Sequence, residues 1–273
     1  MAMRKADRPM TEAAQTGTPP VLNDPFARLQ GPLAGTTRMR LQVVRNDLLT
    51  PAMQQVVLSA GELASFSYRP GQDIMLMVDV DGDRPVRRRY TIRAVDPAQC
   101  LVTLGIVRHG DGPGERWVRA ARPGDQIEGI GPRGKIFPSA DAAWHLFAGD
   151  FSALPAFFAM AGSLPAEARV TIILEVPGPG DQQKLITEAD TRMLWLHRGN
   201  RPAGDPSALA GAIADVPLPP GTGHAYLAGE AKLVLALRET LAARGMPADR
   251  TSPKAYWGLG KANAAHGEPA KEG

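Results

Sequence analysis

Cysteine is almost absent from this chain of 273 residues. Cys100 is the single one, so one chain forms no internal disulfide, no cysteine-ligated iron–sulfur cluster and no zinc site of several cysteines. Aromatic residues make up only 5% of the sequence, and the formal net charge is only +3. Nucleic-acid-binding surfaces usually combine a dense basic face with aromatic side chains, so the sequence predicts no nucleic-acid partner.

Long apolar runs are missing as well. No stretch approaches the roughly 20 apolar residues of a membrane span, and no apolar segment follows the basic residues near the N-terminus as in a secretory signal. We therefore predict no membrane partner and a cytoplasmic location. The histidines are scattered without paired spacing or neighbouring carboxylate clusters, so we also predict no bound catalytic metal.

Short β-rich segments separated by Gly, Pro and Asp fill the chain from about residue 37 to 133. Six such segments predict an antiparallel six-stranded β-barrel. From about residue 144, short apolar runs alternate with amphipathic stretches, which predicts an α/β domain with a parallel sheet. The predicted division is a flexible leader at 1–32, a barrel domain at 33–140, an α/β domain at 141–260 and a tail at 261–273.

A barrel followed by an α/β domain is the order found in ferredoxin-reductase-like flavoproteins, so we expect flavin contacts in the barrel. Arg88, Tyr90 and Thr91 lie together in the fourth predicted strand. They offer a cation for phosphate, a ring that can lie against the flavin and a hydroxyl that can hydrogen-bond to it. An arginine-rich strand is also typical of a solvated edge, so this motif alone leaves both interpretations open.

A glycine-rich turn that runs into a short predicted helix forms the second motif, from His109 to Trp117. Exposed backbone N–H groups at such a helix start suit a pyrophosphate. By itself, a Gly/Pro turn is more often a plain loop, and a lone His109 is more often structural than a ligand.

Taken together, the motifs resemble the siderophore-interacting proteins, a family of FAD-dependent ferric-siderophore reductases. The similarity runs from about Met39 to Gly260. No single segment is decisive, but seven occur in register. They are RRYTIR (88–93), RHGDGPGERW (108–117), GPRG (131–134), AGDFSALPA (148–156), WLHR (195–198), AGEAKLVLALR (228–238) and AYW (255–257).

The resemblance implies a barrel that binds FAD and an α/β domain that binds NADPH or NADH. It implies that Arg88 contacts an FAD phosphate, that Tyr90 flanks the flavin ring and that Thr91 bonds to it. Asp150 and its neighbours would line the nicotinamide side of the cleft between the domains. The implied cofactor-binding set is Arg88, Tyr90, Thr91, Arg93, His109, Gly112, Pro113, Gly114, Glu115, Arg116, Trp117, Asp150, Ser152, Ala153, Gly229, Glu230 and Trp257.

One departure from the family pattern concerns the turn. The family usually has a small residue and then a hydroxyl after Gly-Pro, where this chain has Gly114 and Glu115. A carboxylate near a pyrophosphate is repulsive unless it points away, so this departure leaves open whether Gly114 and Glu115 weaken FAD binding.

The expected substrate is a ferric siderophore in the form of an anionic chelate. Because the net charge is small, its recognition needs a local basic patch. Lys254 and Lys261 bracket the terminal AYW segment, which the resemblance places near the cleft mouth, and Arg69 precedes a Pro-Gly turn in the barrel. We predict that Arg69, Lys254 and Lys261 bind the substrate and that the protein acts as a monomer.

Siderophores hold Fe(III) far more tightly than Fe(II), so adding one electron loosens the complex. A hydride donor delivers electrons in pairs, and a flavin converts that pair into single electrons. No protein nucleophile or general base is needed, and we predict no catalytic side chain. Two kinds of protein remain as alternatives to a ferric-siderophore reductase. One is a flavin reductase or ferredoxin-type oxidoreductase, and the other is a siderophore-binding protein without enzymatic activity.

Overall fold

The computed structural model describes residues 35–81 and 84–259. The first part of the described chain forms a closed antiparallel barrel of six strands in the order β1-β2-β5-β4-β3-β6. This confirms the predicted barrel. Its strands are β1 (Thr37–Thr50), β2 (Met53–Ser59), β3 (Asp73–Asp81), β4 (Arg84–Asp96), β5 (Leu101–Val107) and β6 (Gln126–Arg133).

Alternation of apolar and polar residues produces the barrel core. On β1, Met39, Leu41 and Val43 are buried while the residues between them are exposed, because successive side chains on a strand face opposite sides. A short helix, α1 (Pro113–Ala120), follows β5 and contributes Val118 to the same core.

The second part of the described chain is a parallel five-stranded sheet with the order β11-β10-β7-β8-β9. The predicted α/β fold is therefore confirmed. The strands are β7 (Trp144–Asp150), β8 (Arg169–Val176), β9 (Asp190–His197), β10 (Gly223–Glu230) and β11 (Thr251–Trp257). The helices are α2 (Leu154–Ala161), α3 (Ser207–Asp215) and α4 (Ala231–Ala243).

Helices cover both faces of this sheet, as buried parallel strands require. On one face, Phe157 of α2 packs against Phe147 of β7, with ring centroids 5.3 Å apart. On the other face, the buried leucines of α3 and α4, such as Leu209 and Leu237, pack against Ile173 of β8. Within residues 35–81 and 84–259, no helix is long and apolar enough to cross a membrane.

Polar contacts join the barrel to the sheet at several points. The buried Asp181 carboxylate accepts hydrogen bonds from the Thr50 hydroxyl and the Ala52 N–H, both at 2.8 Å. Elsewhere, Arg93 of β4 donates to the Gln183 side-chain oxygen, also at 2.8 Å. These contacts fix the hairpin between β1 and β2, and strand β4, against the segment that follows β8.

Two histidines of the sheet lie near the segment that connects β6 to β7. His145 of β7 and His224 of β10 both stack on Tyr226, with centroids 6.0 and 4.8 Å apart. The Tyr226 hydroxyl accepts a hydrogen bond from the Ser139 N–H at 2.7 Å. Burial raises the pKa of Tyr226 to about 12 and lowers the pKa of both histidines below the ordinary 6.5.

The free energy of unfolding should therefore decrease as the pH falls below about 6.5. A histidine whose folded pKa is lowered stabilises the fold fully above its unfolded pKa. That stabilisation is lost as the pH falls toward the folded pKa, because the unfolded chain then binds the proton more readily. Around His224, the Arg250 guanidinium lowers the pKa further, while Asp141 and Asp249 oppose it.

Urea unfolding at about pH 7.5 and about pH 5.5 measures this dependence. His145→Phe keeps an aromatic ring in the stack, so it should lose less stability between the two pH values than the unaltered protein. The comparison cancels the contributions of titrating groups that do not interact with His145, whereas the neighbouring His224 lowers the pKa of His145. An equal loss in both proteins would contradict the assignment to His145.

Candidate functional site

A cavity of about 380 Å³ opens between the barrel and the sheet. The barrel contributes β4, the end of β5 and the turn before α1, and the sheet domain contributes Ser152 and the end of β11. The lining residues are Asp73, Arg88, Arg89, Tyr90, Thr91, Gly105, Ile106, Val107, His109, Gly110, Asp111, Gly112, Pro113, Gly114, Glu115, Ser152, Lys254, Tyr256, Trp257 and Gly258.

Tyr90 forms part of the barrel wall of this cavity. Its ring stacks on Trp117 of α1, with centroids 6.1 Å apart. A Cβ atom on Gly114 would lie only 2.6 Å from the Tyr90 hydroxyl oxygen, so the start of α1 approaches β4 closely because this position is glycine. Burial raises the pKa of Tyr90, so its phenol stays neutral and can donate a hydrogen bond.

The turn before α1 forms the adjoining wall. Gly110 has a φ of +62°, a conformation that favours glycine. The helix then starts with Gly112 as the N-cap residue, which makes no side-chain cap bond, and with Pro113 in its first turn. A Cβ atom on Gly110 or Gly112 would meet no atom within 4 Å, so open space lies beside the backbone of this turn.

Glu115 is buried directly behind the turn. One carboxylate oxygen accepts the His109 N–H at 3.0 Å, and the other accepts hydrogen bonds from Arg119 at 2.5 Å and Arg108 at 3.5 Å. The sequence suggested that this carboxylate repels a pyrophosphate unless it points away. The structure directs it to a backbone amide and two guanidinium groups, so its negative charge is balanced locally.

Asp150 organises the sheet side of the cavity. One oxygen accepts hydrogen bonds from the backbone and the hydroxyl of Ser152, at 2.8 and 2.5 Å. The other accepts the Glu230 N–H at 2.7 Å and the Trp257 indole N–H at 3.0 Å. Burial raises the pKa of Asp150, and the four hydrogen bonds oppose that rise. Asp150 thereby connects the ends of three neighbouring strands, β7, β10 and β11.

Trp257 connects the sheet to the turn of the barrel. Its ring stacks on His109, with centroids 6.1 Å apart. Two residues later, the Leu259 N–H donates to the Glu230 carboxylate at 3.1 Å. Glu230 also caps α4 by accepting the backbone N–H groups of Lys232 and Leu233. The Asp150 carboxylate thus holds the end of β11 beside the cavity, and the Glu230 carboxylate holds the residues that follow it.

Asp73 also lines the cavity, and cationic side chains lie close to it. Arg89 makes a bidentate contact with the Asp73 carboxylate at 2.8 and 2.6 Å, and Lys254 lies 3.4 Å from it. Burial lowers the pKa of Arg133, and the nearby Arg89 and Arg87 lower it further while Asp73 raises it. Arg89 and Lys254 therefore contact the Asp73 carboxylate, and Arg133 lies close enough to interact with it.

Most predicted cofactor-binding residues come together here, but not all line the cavity. Arg93 faces Gln183 instead, Arg116 bonds to Asp79 and to the Asp111 carbonyl, and Trp117 lies behind Tyr90. Asp150, Gly229 and Glu230 lie at the ends of β7 and β10 and do not line the cavity, and neither does the buried Ala153 in the turn after β7.

The three residues predicted to bind the substrate differ in their surroundings. Lys254 lines the cavity, but its side chain is only 7% exposed and pairs with Asp73, so it is not the exposed cation that the sequence suggested. Arg69 is exposed, with its guanidinium 3.6 Å from the centre of the Phe137 ring. Lys261 lies outside the described residues.

Sequence reasoning did not include nine of the lining residues, which are Asp73, Arg89, Gly105, Ile106, Val107, Gly110, Asp111, Tyr256 and Gly258. Asp73 is one of three aspartates in β3, and only the fold shows that it is the buried and paired one. Among the described residues, no group of three or more His, Cys, Asp or Glu side chains is placed to hold a metal ion.

Comparison with known proteins identifies the family. Residues 77–136 match the siderophore-interacting FAD-binding domain, and residues 142–260 match the siderophore-interacting protein domain. The ferric vibriobactin reductase of Vibrio cholerae is 34% identical over 251 residues, which cover 84% of this chain and 92% of that protein. The NADPH-dependent ferric-chelate reductase of Escherichia coli is 25% identical over 239 residues, which cover 80% and 91%.

A solved structure agrees with these sequence matches. The siderophore utilization protein from T. fusca superimposes with a TM-score of 0.76 at 28% sequence identity, covering 85% of this chain and 97% of that one. The chain therefore belongs to the siderophore-interacting protein family, and the match to the family's FAD-binding domain covers the part of the barrel from residue 77 onward.

Proposed function

We propose that this protein is an FAD-dependent oxidoreductase that reduces ferric siderophores with electrons from NADPH or NADH and releases the iron in the cytoplasm. The observation that carries the proposal is the cavity between the barrel and the sheet. Its walls combine an arginine and a tyrosine of β4, an open glycine turn at a helix start, and the ends of parallel strands.

The residues of the cavity fit FAD, which combines a flat ring system with a pyrophosphate. Open space beside Gly110 and Gly112 leaves room for phosphate oxygens against the backbone of the turn. Arg88 would neutralise phosphate charge, and the neutral Tyr90 phenol would contact the ring system. Thr91 and Ser152 line the same cavity and would supply hydroxyl hydrogen bonds. When bound, FAD supplies the conversion of a hydride into single electrons.

The nicotinamide nucleotide would bind at the carboxyl ends of β7 and β10. Ligands of open parallel sheets bind outside these strand ends, and Asp150 and Gly229 lie at this edge. Asp150 holds the Ser152, Glu230 and Trp257 groups in one arrangement before any ligand arrives. The chain here would position the nicotinamide nucleotide, which is the hydride donor, and exclude water, because no side chain has to form a covalent bond.

The cationic cluster around Asp73 supports an anionic substrate. Arg89 and Lys254 contact Asp73 and Arg133 lies close to it, so an anionic ligand there would meet several cationic side chains although the whole protein is nearly neutral. A siderophore holds Fe(III) through anionic oxygen donors, and this charge complements such a surface. Exposed Arg69 would extend the same patch.

The test begins with the visible spectrum of the purified protein after incubation with FAD and gel filtration. We expect about one FAD per chain, with absorption bands roughly at 380 and 450 nm. NADPH or NADH should bleach the flavin bands without oxygen. A ferric siderophore should then restore them, while a ferrous-specific chelator reports the Fe(II) formed.

Each alternative function predicts a different result in this experiment. Bleached flavin that transfers electrons to free flavin but not to ferric siderophores would indicate a flavin reductase. Siderophore binding without flavin retention would indicate a binding protein. A gallium complex of the same siderophore serves as the control, because Ga(III) has the same charge and no accessible divalent state, so it should leave the flavin reduced.

A further inference from the structure

Glu115 makes contacts that order the turn of the candidate flavin site. It is the third residue of α1, and its side chain is only 4% exposed. It reaches back six residues to accept the His109 N–H at 3.0 Å. A buried carboxylate that accepts a backbone N–H holds that stretch of chain in one conformation, since either group alone would be left without its partner.

The rest of the turn is fixed at both ends by other contacts. The Arg108 N–H donates to the Ala52 carbonyl at 2.8 Å, and the Arg116 guanidinium donates to the Asp111 carbonyl at 2.8 Å. His109 stands between these two points, and its N–H donates to Glu115. Without that acceptor, the segment from His109 to Gly110 would have to find a new partner for a backbone amide that lies against the cavity.

The charge of Glu115 is balanced where it is buried. Arg119 lies 2.5 Å and Arg108 lies 3.5 Å from the same carboxylate oxygen, so the three side chains together carry a net charge of about +1. The carboxylate therefore orders the turn without making its surroundings negative. An anion beside the turn would meet ordered N–H groups and a weakly positive background.

We propose that Glu115 is a positioning residue that preorganises the turn from Arg108 to Gly112 for the pyrophosphate of FAD. This inference rests on the proposed function, because it concerns the same cofactor. It reverses the expectation from charge alone, in which removing a carboxylate near a pyrophosphate would strengthen FAD binding.

Two substitutions separate the acceptor role from the charge. Glu115→Ala removes both the acceptor and the charge, and it should raise the dissociation constant of FAD by about 10-fold or more. Glu115→Gln keeps an oxygen that can accept the His109 N–H, and its NH2 group replaces the oxygen that accepts from Arg119, whose half-exposed side chain can turn to solvent, so its dissociation constant should stay within about threefold of the unaltered value. Titration of the full-length apoprotein, followed by quenching of flavin fluorescence, measures both.

A second readout needs no flavin. In the apoprotein, hydrogen exchange of the peptide that contains His109 should be faster in Glu115→Ala than in the unaltered protein, and Glu115→Gln should restore the protection. Glu128→Ala provides the matched control. It removes a glutamate that pairs with Arg38 on the barrel surface at 3.2 Å, and it should change neither FAD affinity nor exchange at His109.

The outcomes are distinct. Tighter FAD binding by both Glu115 variants would overturn the inference, because repulsion would then dominate. Faster exchange in Glu115→Ala with unchanged FAD affinity would overturn it as well, because order in the turn would not matter for binding. If the unaltered protein binds no FAD, the proposed function fails, while the exchange experiment still shows whether Glu115 orders the turn.

Discussion

Replacing Gly229 by valine should slow flavin reduction by the nicotinamide nucleotide about 100-fold or more while FAD remains bound. A Cβ atom at this position would lie 2.5 Å from a carboxylate oxygen of Asp150, and the φ of +141° disfavours any side chain. Asp150 would have to move, and its bonds to Glu230 and Trp257 would be lost with it. Stopped-flow absorbance near 450 nm, roughly the flavin maximum, measures the rate.

Gly211→Ala is the matched control for this prediction. Gly211 lies in α3, where an added Cβ would meet no atom within 4 Å, so we expect unchanged rates and slightly higher stability. Loss of FAD from the Gly229→Val protein would contradict this prediction, because the displaced Asp150 would then have disturbed Ser152 and Trp257 in the wall of the FAD cavity. Unchanged reduction rates would show that the strand end does not take part.

Replacing Tyr90 by alanine should raise the dissociation constant of FAD about 30-fold or more, the equivalent of about 2 kcal/mol for a buried aromatic contact. The ring lies in the cavity wall and stacks on Trp117, so its removal leaves a hole behind the expected flavin ring and frees the tryptophan to move. Tyr90→Phe keeps the ring and should retain most of the affinity. Titration of apoprotein with FAD provides the constants.

A suitable control for Tyr90→Ala is a substitution that removes packing in the barrel core but leaves the cavity lining unchanged. Tyr68 meets this need, because it packs against the barrel core and does not line the site. Tyr68→Ala should lower the midpoint of urea unfolding and leave FAD affinity unchanged. If Tyr68→Ala weakens FAD binding as much as Tyr90→Ala does, the effect reports barrel stability and not a flavin contact.

The sequence predicted the strands and helices of both halves because each depends on local periodicity. The alternation around Met39, Leu41 and Val43 marks a strand with one buried face, and the apolar run of β8 marks a strand buried on both. The turn from His109 to Gly112 could also be found, because glycine and proline fix its position in the sequence.

The contacts made within the site could not be predicted in the same way. Lys254 resembles any lysine in a short strand, and its partner Asp73 lies 181 residues away. Arg93 belongs to a motif segment, yet its guanidinium binds Gln183, 90 residues further along the chain. Such pairs depend on how the barrel and the sheet meet, which no local pattern of residues encodes.

The ion pair between Lys254 and Asp73 limits how this protein can be recombined with its relatives. Its two side chains are 7% and 6% exposed and come from the two halves of the fold, so a crossover in the connection between β6 and β7 would take each charge from a different parent. Asp73 would keep its contact with Arg89, but a buried Lys254 without a carboxylate would cost about 3 to 5 kcal/mol, a large part of the stability of an ordinary domain. Functional chimeras should therefore be confined to parents that carry an acidic residue at the position of Asp73 and a basic one at that of Lys254.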